Sequence, residues 1–72
     1  MSPAQEERRQ WVNTYLSTAF HMAERLDVRT LRYFVDGSSE RVEITFNNGY
    51  VKKVDVTGDS DRAVIHDVLK AV

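Results

Sequence analysis

Seventy-two residues, 42% of them apolar and 29% charged, suffice for one small hydrophobic core and leave no room for a second, so residues 1–72 are expected to form a single domain. Ten Lys and Arg against eleven Asp and Glu give a formal net charge of −1, which creates no long-range field to gather polyanions. The absence of cysteine removes disulfides and thiolate metal sites.

A domain this small buries only about 60% of the surface its unfolded chain exposes, so association with itself or a partner is a common source of extra stability. No apolar run approaches the roughly 20 residues that span a bilayer, and MSPAQEERRQ has none of the character of a signal peptide. The expected location is the cytoplasm, with no membrane contact.

The chain opens with a helix signal. Ser2 suits an N-cap, Pro3 the first helical position, and Gln5 the place where a capping box wants Glu or Gln. On a wheel of about 100° per residue, Trp11, Val12, Tyr15, Leu16, Ala19, Phe20, Met22, Ala23 and Leu26 share one half, whereas Asn13, Thr14, Ser17, His21 and Arg25 fall on the other. The pattern predicts a long amphipathic helix over 3–27.

From residue 28 the period changes to alternation, with β-branched and aromatic residues accumulating, and strands are predicted at 29–35, 40–47 and 50–57. A three-residue Asn47-Asn48-Gly49 loop with Gly49 left-handed pairs Phe46 with Tyr50, Ile44 with Lys52 and Val42 with Val54. It also sets Glu43 against Lys53 and Arg41 against Asp55. A two-residue turn would oppose Val42 to Asp55, so the longer loop is preferred.

A four-residue loop at Asp36-Gly37-Ser38-Ser39 likewise matches Leu31 with Ile44, Tyr33 with Val42 and Arg32 with Glu43. Leu31, Tyr33, Val35, Val42, Ile44, Phe46, Tyr50, Val54 and Val56 then share an apolar face. The other face carries Arg32, Glu43 and Lys53 with Phe34, Arg41 and Asp55 on one side, and Thr30, Thr45 and Val51 on the other.

After Val56 the pattern returns to helical, with Val64, Ile65, Val68, Leu69 and Val72 on one stripe. The expected architecture is α+β, in the order α-β-β-β-α: a three-stranded antiparallel meander with both helices packed on one face. That order resembles the double-stranded-RNA-binding domain. The family grips phosphates with lysines at the start of its last helix, where this chain has Asp59-Ser60-Asp61-Arg62, so no binding residue carries over.

The Gly58-Asp59-Ser60-Asp61 cluster superficially resembles the nucleophile block of GDSL-type esterases. Its only downstream partners, His66 and Asp67, are adjacent on a helix and point about 100° apart, which does not build a base and its orienter against Ser60. Asp55, Asp59 and Asp61 also lack the ligand spacing of a calcium loop. The cluster reads as punctuation: Asp59 or Ser60 caps the last helix, Asp61 complements its dipole, and Gly58 frees the turn. His21 and His66 fall on polar helix sides and read as solvated.

No catalytic, cofactor-binding or metal residue is expected, and no small-molecule substrate is evident. The remaining feature is Phe34, an aromatic on a sheet face that neither helix covers, stacked on Arg41 or serving as an anchor within Arg32, Arg41, Thr45 and Val51. The expected function is a non-catalytic protein-interaction or regulatory module, with a protein partner or homodimer formed through that face or a strand edge. Both edge strands, 29–35 and 50–57, are expected to keep free backbone groups, and strand 29–35 is the expected edge for a specific contact, because Lys52 and Lys53 discourage pairing along the third strand. The alternative is a nucleic-acid-binding module using Arg32, Arg41, Lys53 and Phe34, disfavoured by the interrupting Glu43 and Asp55.

Overall fold

A computed structural model describes residues 1–72 and has the α-β-β-β-α order, with a helix at either end of a three-stranded antiparallel meander. The first helix, α1, runs over 3–22 in three stretches: α-helical Pro3–Gln10, π-helical Trp11–Leu16 and α-helical Ser17–Met22. A single 3₁₀ turn, Glu24–Leu26, leads into β1 (Val28–Asp36), β2 (Ser39–Phe46) and β3 (Val51–Asp55). The closing helix, α2, is Asp61–Ala71.

α1 starts as its sequence dictates. The Ser2 hydroxyl accepts from the Gln5 amide at 3.2 Å, and the Gln5 side-chain oxygen accepts from the Ser2 amide at 2.9 Å. The helix stops earlier than residue 27. Ala23 leaves helical geometry, and Asp27 takes a left-handed conformation with φ 55° that turns the chain into β1.

The buried stripe of α1 is Val12, Leu16 and Phe20, spaced by four. A step of four overshoots a 3.6-residue α turn and undershoots the wider π turn. The π stretch therefore cancels the drift and keeps the three side chains in line on the sheet. The same rotation carries Tyr15 and Met22 out to solvent, 70% and 73% exposed, although the uniform wheel places both inside.

The strand register matches the charge and turn argument throughout. Leu31 faces Ile44, Arg32 faces Glu43 and Tyr33 faces Val42; across the second hairpin Val42 faces Val54, Glu43 faces Lys53 and Arg41 faces Asp55. Gly49 adopts φ 90°, and the Phe46 amide bonds the Tyr50 carbonyl, which closes the three-residue loop. In the first hairpin Asp36 pairs with Ser39, so the loop tightens to Gly37 and Ser38 in the same register. A bulge at Arg29 reverses the alternation once and turns Val28 into the core.

Both helices supply the core on one side of the sheet: Val12, Leu16 and Phe20 from α1, and Val64 and Val68 from α2, against Leu31, Tyr33, Val42 and Ile44. Glu40 fastens the far end. It accepts from the Tyr33 hydroxyl and from the Gly58 amide at 3.3 Å, and lies 3.6 Å from Arg8, which also reaches Asp61 at 3.2 Å. Burial, then the Glu40 carboxylate, push the Tyr33 hydroxyl well above the usual phenol range.

Candidate protein-binding face and strand edges

The sheet face away from the helices carries all five predicted interaction residues, Phe34, Arg32, Arg41, Thr45 and Val51, because alternation along β1, β2 and β3 sends each of them outward. Phe34 is half-buried, not an open aromatic. The Arg32 guanidinium lies 5.7 Å and the Lys53 ammonium 5.9 Å from its ring centroid, so its own neighbours bracket it. The expected stacking on Arg41, which sits opposite Phe34 in the ladder, is replaced by these two cations. Long side chains shield an apolar ring with their methylenes while their charges stay wet. Val51 is 45% exposed and Thr45 half-buried.

Charges on this face alternate in sign across the strands. Arg32, Glu43 and Lys53 form one row, with Arg32 3.9 Å from Glu43; Phe34, Arg41 and Asp55 form the next. Hydrogen bonds from Thr57, with a smaller contribution from Arg41, hold the Asp55 carboxyl below the ordinary aspartate range. An acid lies beside each of the three cations in the ladder, so they make no continuous track for phosphates.

The two strand edges differ. On β1, the outward Leu31 amide donates to the Ser17 hydroxyl at 2.9 Å, and the outward Tyr33 amide to Asn13 Oδ1 at 2.7 Å. Two polar side chains of α1 that a uniform wheel turns to solvent instead cap these two amides of the first strand. The expectation that β1 keeps its outward donors free therefore fails at Leu31 and Tyr33.

On β3, the Phe46 amide bonds Tyr50 and the Val56 amide bonds Glu40, so even-numbered residues face β2 and odd-numbered ones face away. The backbone groups of Val51, Lys53 and Asp55 point outward with no hydrogen bond from the rest of the chain. Nor do the lysines lie across this edge. The Lys52 ammonium is held at 3.1 Å by the Ala71 carbonyl, and Lys53 lies over Phe34.

The Gly-Asp-Ser-Asp stretch is the start of α2. Ser60 is its N-cap, with the hydroxyl accepting from the Ala63 amide at 3.2 Å, and Gly58 takes φ 75°. Asp59 does not cap. Its carboxyl faces Asp67, and its Oδ2 is buried with no donor from any other group. The contact with Asp67, then burial, raise the Asp59 carboxyl above the ordinary range, while Asp67 is held below it. A proton on Asp59 donated to Asp67 accounts for both directions.

His66 is exposed and lies 3.5 Å from its neighbour Asp67; exposed His21 lies 3.3 Å from the Val28 carbonyl. No group of three or more acidic or imidazole side chains converges as a metal site. No helix is long and apolar enough to cross a membrane.

A second surface feature has no signature in the helical or strand periodicity. At the end of the β2–β3 hairpin, Leu26, Phe46, Tyr50, Lys52 and Val72 line an open groove, with the Phe46 and Tyr50 rings 5.9 Å apart. Tyr50, expected on the core face, is 62% exposed because the sheet ends beside it. The adjacent turn dipeptide was the only sequence signal for this: an aromatic next to a loop has no strand beyond it to be covered by.

Comparison with known proteins returns no matching family model, no matching curated protein and no matching solved structure.

Proposed function

We propose that this chain is a small protein-interaction module that acts by contact rather than by catalysis, through the outer sheet face and the open edge beside it. The observation that carries the reading is the asymmetry of the edges. The amides of Leu31 and Tyr33 are capped from within, whereas Val51, Lys53 and Asp55 are left with unpaired backbone groups next to exposed apolar surface. An unpaired strand edge is a ready template for another chain, and a half-buried aromatic with a polar rim is ordinary interface composition. Self-association is the simplest form of this activity, and a small core makes it more favourable.

Sedimentation equilibrium over a wide concentration range tests the reading, with Phe34→Glu as the perturbed face. The expected result is reversible association of the original chain with native circular dichroism in both proteins; weakening in the variant places the contact on the outer face, and association that survives it places the contact on the β3 edge, two strands away from Phe34. A strictly monomeric original chain would remove self-association, and nucleic-acid binding that weakens steeply with salt would favour the alternative role for Arg32, Arg41 and Lys53.

A further inference from the structure

Resting on that reading, we infer that the partner is a second copy of this chain, paired antiparallel along β3 about a two-fold axis at Val54, with Lys53 of each copy opposite Asp55 of the other. The direction of the backbone groups limits the choices. Residues 51, 53 and 55 face away from β2, so two copies can pair only in registers that set outward residues against outward residues.

Four such registers overlap β3 substantially, and charge separates them. One centred on Lys53 sets the two Lys53 side chains face to face. Another, centred on Lys52, does the same with Lys52, and one centred on Asp55 opposes like acids. Like charges directly opposite each other are destabilising. The register centred on Val54 alone sets a cation against an anion, and the symmetry makes the contact twice; the exposed Lys53 side chain swings off the Phe34 ring to make it.

That register also continues the pattern within one sheet. The row Arg32, Glu43, Lys53 meets the row Asp55, Arg41, Phe34 of the second copy, so charge alternates in sign through the seam and ends on the aromatic. Asp55 is ready for this role because its carboxyl is held ionised by Thr57 and Arg41. On the core side, half-buried Val54 meets its own copy, and the two meanders join into one six-stranded sheet with no chain crossing between them. A symmetric, isologous contact of this kind closes on itself and stops at two copies. It also pairs the edge whose amides are free, since on β1 the Leu31 and Tyr33 amides are already taken by Ser17 and Asn13.

A charge swap between two variants tests the register. Lys53→Asp gives an edge with acids at both positions, and Asp55→Lys gives one with cations at both. Each variant alone should associate at least tenfold more weakly than the original chain in sedimentation equilibrium. An equimolar mixture should recover a heterodimer, because every cross-strand pair then joins opposite charges. If the original chain dimerises but the mixture recovers nothing, or each variant dimerises like the original, the β3 register is wrong and the association lies elsewhere, as on the Phe34 face. If the original chain never dimerises, the underlying reading fails along with the register.

Cysteine scanning gives an answer even where a charge variant fails to fold, since the chain has no cysteine of its own. Val54→Cys should oxidise to a covalent dimer, because a non-hydrogen-bonded pair brings Cβ atoms within about 5 Å, and Val51→Cys should not. Equal cross-linking of the two would overturn the two-fold at Val54.

Discussion

Replacing Ser17 or Asn13 by alanine should destabilise this domain more than any other change to a polar residue on α1. Both side chains accept from β1 amides, Ser17 from Leu31 at 2.9 Å and Asn13 from Tyr33 at 2.7 Å, and Leu31 and Tyr33 are 2% and 1% exposed. Without the acceptor each amide is left dry and unpaired, a loss of about 1–3 kcal/mol. Helix propensity acts the other way, since alanine exceeds serine and asparagine by at most about 0.7 kcal/mol per residue, so the lost bond dominates.

For a domain of this size about 1 kcal/mol moves Tm by roughly 4–8 °C, so each variant should melt at least several degrees lower. The double variant should lose less than the sum, because residues spaced by four on one helix hold the same stretch of strand. Thermal circular dichroism gives the shift, and amide hydrogen exchange gives its location: Leu31 should lose protection in Ser17→Ala and Tyr33 in Asn13→Ala. Thr18→Ala, which removes only an exposed hydroxyl bonded within its own helix, is the control. Shifts no larger than the control's, with Leu31 and Tyr33 still protected, would refute the capped edge.

Gly49→Val should lower stability by about 1 kcal/mol or more, because φ 90° is strained for a β-branched residue, and a loss typical of an open surface site would show that the loop can rearrange. A double-mutant cycle on Arg32 and Glu43 should show coupling of a few tenths of a kcal/mol, larger than that of Glu43 with Lys53, whose ammonium lies over Phe34; the reverse order would contradict the arrangement of the outer face. Asp59→Asn should raise Tm near neutral pH. A carboxyl whose pKa is raised by folding contributes stability at low pH and loses it as pH rises through the folded value, whereas asparagine keeps a donor toward Asp67 at every pH. The advantage over the original chain should therefore shrink on acidification toward the ordinary carboxylate range, and a gap independent of pH would show that Asp59 and Asp67 do not share a proton.

Strand order and register were legible because two independent signals agreed. Alternation placed Leu31, Tyr33, Val42 and Ile44 on one face, and the opposed charges of Glu43 with Lys53 and Arg41 with Asp55 chose between turn lengths. The rotation of α1 was not legible, since a π turn over Trp11–Leu16 has no composition of its own and a uniform wheel sends Tyr15 inward and Ser17 outward. Asn13 and Ser17 look like ordinary helix surface until β1 lies beside them, so which edge stayed open could not be read from local pattern. Phe34 was correctly placed outward, yet its cover by Arg32 and Lys53 depends on side-chain rotamers that strand alternation leaves undetermined. The role of Glu40 is hidden in the sequence for a similar reason: its partners Arg8, Tyr33 and Gly58 come from three separate parts of the chain.

The proposed contact along β3 is tested most directly by a concentration series of ¹⁵N-correlated NMR spectra on the unmodified chain, read residue by residue. As concentration rises, the amides of Val51, Lys53 and Asp55 should shift and gain protection from exchange, while those of Leu31 and Tyr33 stay as they are. Shifts confined to Phe34, Arg32 and Arg41, with Val51 and Asp55 unchanged, or spectra that do not change with concentration, would contradict it.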